Sequence, residues 1–221
     1  MQTAAFYPLN LLLAAVPFNS HDVFSPAFYH VLYAATHVLG AYFMFALVRS
    51  LGLSFFASLL SGVAFSFGGL MARLGGWPHM LQSGIWLPLI CLLAIKALSE
   101  TRVARALVFS MLSGLCLGLS ILAGGLHLVM MQGIVVVTAS VAHAFFVAGG
   151  LWRQRWKRTV LVAGVILLAG VAAGAVQLLP SMGYSHLAIR WTGGKPALAS
   201  QKNASGQIDQ RKLANAFLGF I

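Results

Sequence analysis

Charged residues are scarce in this sequence. They account for 8% of its 221 residues, whereas 60% are hydrophobic and the mean hydropathy is +0.89. A water-soluble domain of this composition would have to cover its surface with apolar side chains. Since a bilayer core of roughly 30 Å takes about 20 apolar residues per helix, the composition excludes a soluble protein and predicts an all-α bundle of about six transmembrane helices.

Acidic residues are the rarest of the charged ones. The sequence contains Asp22, Glu100 and Asp209 against 14 lysines and arginines, a balance that in a soluble protein would suggest a nucleic-acid partner. Here most of the basic residues lie in short segments between apolar runs, where they orient helices and contact anionic headgroups. We therefore predict the lipid bilayer as a partner, and no nucleic acid.

Cysteines are few, and soluble-enzyme motifs are lacking. Cys91 and Cys116 fall inside apolar runs without CxxC spacing, so they are predicted to be small core residues and leave the redox compartment open. No GxSxG, P-loop, HExxH or dinucleotide fingerprint occurs. Soluble-enzyme chemistry is therefore unsupported.

Long apolar runs are what the sequence does contain. They predict spans at residues 26–48, 53–72, 79–97, 104–122, 127–149 and 159–180. If the N-terminus lies outside, the short outer loops contain only Arg73, and the cytoplasmic loops contain Arg49, Lys96, Arg102, Arg105, Arg153, Arg155, Lys157 and Arg158. Because basic residues are enriched in cytoplasmic loops, this asymmetry predicts that the N-terminus lies outside the cytoplasm.

The spans divide the chain into three segments. Residues 1–25 are predicted to form an outer loop with an interfacial or re-entrant piece at 7–18, because this stretch contains two prolines and lacks the basic start of a signal peptide. Residues 26–180 form the six-helix transmembrane domain. Residues 181–221 are polar and are predicted to lie outside, with the final FLGFI leading into a further helix.

Glycines predict two kinds of local packing. Gly114 with Gly118, and Gly170 with Gly174, are GxxxG pairs that let two helix backbones approach closely. Tight turns at the ends of spans are predicted at the paired glycines 68 and 69, 75 and 76, and 124 and 125.

The reactive side chains collect near the predicted outer interface. With a rise of about 1.5 Å per helical residue, this interface contains His21, Asp22, His30, Arg73, His79, His127, His186 and Arg190. A guanidinium at headgroup level can hold a phosphate bidentately. Arg73 and Arg190, with His79, are therefore predicted to bind a lipid phosphate, and ordinary headgroup anchoring is the alternative.

The histidines raise the question of a metal. The outer histidines with Asp22 could hold a divalent cation, but no ligand spacing supports this, and hydrated interfacial histidines are the alternative. A bis-histidine haem would need two imidazoles at one depth, whereas His37 and His143 differ in depth by several residues. We assign no metal ligand, and we expect His37 to make an interhelical hydrogen bond.

Four apolar segments carry short motifs in a set order. They are QTAAFYPLNLLLAAVP at 2–17, HVLYAATHVLGAYFMFALVRSLGLS at 30–54, IWLPLICLLAIKAL at 85–98 and VQLLPSMGYSHLAIR at 176–190. In these segments the chain resembles YfhO-like bacterial membrane proteins, which belong to the GT-C superfamily of lipid-dependent glycosyltransferases. YPLN followed by WLPL and then QLLP at these separations is hard to obtain by accident.

The resemblance implies part of an enzyme of the bacterial inner membrane that transfers a sugar from a polyprenyl-phosphate carrier on the non-cytoplasmic side. An outer-loop acid would serve as its general base. In such proteins this acid would precede Gln2, so we expect it to be missing and the chain to be an internal fragment. Asp22 is a candidate base, although its position after YPLN does not match. The alternative function is a non-catalytic membrane subunit or transporter module.

Overall fold

The computed structural model describes residues 6–14, 26–146 and 152–185. All regular structure in these residues is helical, which confirms the predicted all-α fold. The chain divides into two compact units, Met1–Leu178 and Leu179–Ile221. The described residues of the second unit are the last turns of the helix Trp152–Ser185.

Within the described residues the helices are α1 (Pro8–Ala14), α2 (Pro26–Ser50), α3 (Phe55–Phe67), α4 (Gly69–Leu74), α5 (Pro78–Gly84), α6 (Leu87–Ser99), α7 (Val103–Leu122), α8 (Leu126–Phe146) and α9 (Trp152–Ser185).

Six segments of the described chain are long and apolar enough to cross a membrane, which confirms the predicted number of spans. They are Ala27–Ser50, Phe55–Leu74, Pro78–Ser99, Val103–Leu122, Leu126–Phe146 and Trp152–Ser181. The sixth begins at Trp152 instead of residue 159, because arginine and lysine are good helix formers whose long side chains keep their charge in water. The basic segment 153–158 is therefore helical and not a loop.

Two consecutive spans are interrupted. The second consists of α3 and α4, separated at Gly68, where the backbone is extended with φ −65° and ψ 159°. The third consists of α5 and α6, separated by a turn at Ile85 and Trp86, and Pro88 in the first turn of α6 lacks the N–H that would continue the helix. The prediction that Gly68 and Gly69 end a span is wrong, because both lie inside one.

The short helices α4 and α5 form a hairpin, here called the α4–α5 hairpin, which covers residues 69–84 with its turn at 75–77. The two arms are in contact, since a Cβ atom on Gly84 would lie 3.2 Å from the Cε of Met71. The turn that precedes α8 lies against the same hairpin, because a Cβ atom on Gly125 would lie 2.6 Å from the Cβ of Ser83. The predicted turns at glycines 75 and 76 and at glycines 124 and 125 are confirmed.

The first unit has two chemically different ends. The hairpin end contains the turns at 75–77 and 123–125. The opposite end contains the turns at 51–54 and 100–102 and the start of α9, since Arg158 Nη2 donates to the carbonyl oxygen of Ala97 at 3.1 Å. We call it the basic end, because the eight basic residues of the predicted cytoplasmic loops belong to it.

A buried apolar core joins four helices of the first unit. Cys116 of α7 belongs to it, and Cys91 of α6 is partly buried, both as free thiols. The prediction that both are small core residues is therefore confirmed for Cys116, whereas Cys91 is only partly buried. The helices α6, α7, α8 and α9 contribute, among others, Ile90, Leu117, Val136 and Ile166.

The helices α7 and α9 cross with their backbones in close contact at both predicted GxxxG pairs. A Cβ atom on Gly114 would lie 2.6 Å from the Cβ of Ala169, and one on Gly118 would lie 2.5 Å from the Cβ of Ala173. Neither position has room for a side chain, so the predicted close approach is confirmed. The glycines that α9 contributes to this crossing are Gly170 and Gly174.

Candidate functional site

Two of the predicted phosphate-binding residues lie on the α4–α5 hairpin. Arg73 is exposed in the last turn of α4, and within the described part of the chain no hydrogen bond or ion pair engages its guanidinium. His79 is the second residue of α5 and is partly buried. The structure thus brings Arg73 and His79 to one hairpin, whereas Asp22 and Arg190 lie outside the described residues.

The hairpin combines this cation with exposed apolar side chains. Trp77 at the tip is 60% exposed, and Leu70 in the first turn of α4 is 67% exposed. The ring of Trp77 meets the imidazole of His79 edge to face, with their centroids 6.2 Å apart. Arginine and tryptophan side chains of this kind are typical of the headgroup level of a membrane. The tip is therefore suited to contact both a lipid phosphate and the adjoining acyl region.

Beneath the tip, buried polar groups meet where the third span is interrupted. We call Ser83, Ser120 and Gln132 the Ser83 junction. The Ser83 carbonyl oxygen accepts hydrogen bonds from Ser120 Oγ at 3.0 Å and from Gln132 Nε2 at 2.9 Å. In return, Ser83 Oγ donates to the Ser120 carbonyl oxygen at 2.5 Å. Because an interrupted helix leaves backbone carbonyls without helical partners, side chains of α7 and α8 satisfy the end of α5 here.

Gln132 contributes one further group to this junction. Its side chain is 3% exposed, and its Nε2 atom donates to Ser83, which fixes which way the amide points. Its Oε1 atom is buried and accepts no hydrogen bond from the described residues. Buried acceptors in proteins are nearly always paired with a donor. The Ser83 junction therefore offers an acceptor to a hydroxyl, an amine or a water molecule.

The interruption of the second span is held by His37 of α2. Its Nδ1 atom lies 2.9 Å from the Ser66 carbonyl oxygen, and Ser66 Oγ donates to the His37 carbonyl oxygen at 2.5 Å. The imidazole also stacks on Phe67, with centroids 5.5 Å apart. The interhelical hydrogen bond expected for His37 is confirmed. Its imidazole is committed to structure, and within the described residues no three His, Cys, Asp or Glu side chains converge on a metal position.

The N-terminal helix α1 packs against the interrupted third span. Tyr7 is fully buried, and its hydroxyl accepts a hydrogen bond from Trp86 Nε1 at 3.1 Å. Burial raises the pKa of Tyr7 to about 12, so its phenol remains protonated at neutral pH. Asn10 and Gln82 pair through their amides, with Gln82 Nε2 donating to Asn10 Oδ1 at 2.9 Å and Asn10 Nδ2 donating to Gln82 Oε1 at 3.3 Å.

These contacts join two motifs that are far apart in the sequence. Tyr7 and Asn10 belong to YPLN, Trp86 belongs to WLPL, and Gln82 lies one turn before it. Sequence reasoning missed this site because it treated the two motifs as separate signatures. Whether residues 1–25 form an outer re-entrant segment stays a prediction.

Comparisons with known proteins add no assignment to this geometry. No protein-family profile matches the chain, and no curated protein or solved structure is significantly similar to it. The resemblance carried by YPLN, WLPL and QLLP therefore stays a prediction.

Proposed function

We propose that this chain is part of an integral membrane glycosyltransferase whose α4–α5 hairpin binds the phosphate of a polyprenyl-phosphate sugar donor. The observation that carries the proposal is Arg73, an exposed guanidinium without a partner among the described residues, beside the exposed Trp77. A guanidinium recognises a phosphate through two parallel hydrogen bonds. The polyprenyl chain would lie in the lipid next to Trp77 and Leu70.

The sugar-transfer part of the proposal draws on the YfhO-like resemblance. Its support is that YPLN and WLPL, which carry the resemblance, contact one another through Tyr7 and Trp86. The contact supports the view that the two motifs belong to one site. This site lies next to the α4–α5 hairpin, because Asn10 pairs with Gln82 of α5. Asp22 remains the candidate general base and Arg190 a second phosphate ligand, both outside the described residues. A divalent cation remains a candidate cofactor.

Replacing Arg73 with glutamine is expected to weaken the binding of a polyprenyl phosphate by a factor between about ten and about a hundred, because a charge-assisted hydrogen bond contributes roughly 1.5–3 kcal/mol. Binding is measured by titrating the purified chain in detergent micelles with the lipid. Arg105→Gln is the matched control, since Arg105 is an exposed arginine of a membrane helix at the basic end. Replacing Arg190 as well is expected to weaken binding further.

Equal affinities of the wild type, Arg73→Gln and the double arginine variant would reduce Arg73 and Arg190 to membrane anchors. That result would favour the alternative, a non-catalytic membrane subunit or transporter module. Two consecutive interrupted spans support this alternative, because transporters often build their substrate sites where helices are broken near the bilayer centre. Loss of affinity in Arg73→Gln but not in Arg105→Gln would favour the glycosyltransferase.

The proposal places the hairpin end on the non-cytoplasmic side of the bacterial inner membrane, with the N-terminus outside. With Cys91 and Cys116 replaced by alanine, a cysteine at Gly76 is expected to react with an impermeant reagent added to intact cells. A cysteine at Gln154 is expected to react only after permeabilisation, because the basic end would face the cytoplasm. Both positions are exposed. If only the cysteine at Gln154 reacts in intact cells, the proposed orientation is wrong and the basic end faces outward.

A further inference from the structure

A cavity of about 260 Å³ opens at the basic end between the first turns of α7 and α9. Both polar and apolar residues line it. We call the polar lining residues Gln154, Lys157 and Arg158 of α9 the rim, and the apolar lining residues, which include Leu107, Leu161 and Val162, the floor. The cavity is at the opposite end of the first unit from the α4–α5 hairpin, so the function proposed for that hairpin does not involve it.

Arg158 brings an incompletely paired guanidinium to this rim. Its Nη2 atom donates to the Ala97 carbonyl oxygen at 3.1 Å, which holds one side of the group. Its Nε atom is buried and has no hydrogen-bond partner among the described residues. A buried N–H without an acceptor is unfavourable. Arg158 lines the cavity, where its positive charge would attract an anion, although its buried Nε–H is not itself accessible to solvent.

The described residues that line the cavity include two cations and no carboxylate. Lys157 is exposed on the same rim. Val103, the first residue of α7, also lines the cavity, and Arg102 before it makes no side-chain cap, so N–H groups of the first turn remain available. Glu100, the one acid among the described residues, accepts a bond from the Arg102 backbone N–H at 3.3 Å and does not line the cavity.

We propose that this cavity binds the phosphodiester headgroup of an anionic phospholipid, with Lys157 and Arg158 on the phosphate and an acyl chain along the apolar floor. Basic pockets between membrane helices are known to hold such headgroups. An inorganic phosphate would use the rim but would gain nothing from Leu107, Leu161 and Val162. The combination of a cationic rim and an apolar floor therefore favours a lipid over a free anion.

The test measures binding of phosphatidylglycerol and of phosphatidylcholine to the purified full chain in detergent, by native mass spectrometry. We expect the wild type to prefer phosphatidylglycerol, and the Lys157→Gln/Arg158→Gln variant to bind it about tenfold more weakly. The control variant, Arg105→Gln/Arg153→Gln, removes the same charge from exposed positions of the basic end that do not line the cavity. It is expected to keep the wild-type affinity.

Three outcomes would overturn the proposal. An equal loss in the control variant would mean that the net charge of the basic end, and not the cavity, attracts the lipid. Competition by inorganic phosphate as effective as that by the lipid would make a free anion the occupant. Because Arg158 also bonds to Ala97, Lys157→Gln is measured alone, and an unchanged lipid affinity in this exposed variant would likewise contradict the assignment.

Discussion

Replacing Gly118 with leucine is expected to separate α7 from α9 and to lower the free energy of unfolding by roughly 3 kcal/mol, because a side chain has no room at this crossing. Even a Cβ atom at Gly118 would lie 2.5 Å from the Cβ of Ala173. Two backbones that are already in contact cannot move apart without disturbing the apolar core to which Leu117 of α7 and Ile166 of α9 both belong. The change is measured as the apparent melting temperature of the purified protein in detergent.

Gly164→Leu provides the matched control for this experiment. Gly164 belongs to α9, the helix that Gly118 of α7 contacts, but nothing lies within 4 Å of the Cβ atom that a side chain would add there. Both variants exchange a glycine for leucine inside a membrane helix, so they share the same change in helix propensity and in hydrophobicity. A melting temperature that falls equally in both variants would show that the crossing at Gly118 is not the cause.

The second large effect is expected when Ser120→Ala and Gln132→Leu are combined. Each single variant leaves the Ser83 carbonyl oxygen with one of its two side-chain donors, so each is expected to cost about 1 kcal/mol. The double variant leaves this buried oxygen without either donor, and an unsatisfied buried group costs roughly 1–3 kcal/mol more. The double-mutant cycle is therefore expected to be non-additive, with a larger loss than the sum of the single losses.

Ser110→Ala is the control for the cycle. Ser110 is equally buried on α7, but its hydroxyl donates to the Ala106 carbonyl oxygen of its own helix, at 2.7 Å. Its loss is expected to change the stability little, because Ala106 keeps its place in the helical ladder. Additive losses in the Ser120 and Gln132 cycle would contradict the view that both side chains satisfy the interrupted end of α5.

The number of spans could be predicted from the sequence because lipid imposes a length and an apolar composition on every helix that crosses it. The interruptions at Gly68 and at Ile85 were not predicted. Hydropathy records composition and does not register Pro88, a local signal for the second interruption. Both interruptions also depend on partners that are distant in the chain, such as His37 for Ser66 and Ser120 for Ser83. These long-range hydrogen bonds have no local sequence signature.

The candidate site could also be predicted only in part. A single arginine in a short loop is conspicuous in so apolar a sequence, and Arg73 does lie exposed at the tip of the α4–α5 hairpin. The Ser83 junction was not predicted, because serine and glutamine occur in many membrane helices without a shared role. The pairing of Tyr7 with Trp86 was not predicted because a hydrogen bond between side chains 79 positions apart has no periodic pattern.

The single acid of the described chain has a consequence for electroneutrality. Eight lysines and arginines belong to the basic end, and Glu100 is the only carboxylate there among the described residues. Most of the counter-charge must therefore come from the leaflet or from dissolved ions. In a zwitterionic leaflet mobile ions would supply it, and their screening acts over a Debye length of about 8–10 Å at ordinary salt. An anionic leaflet would supply it from the membrane itself.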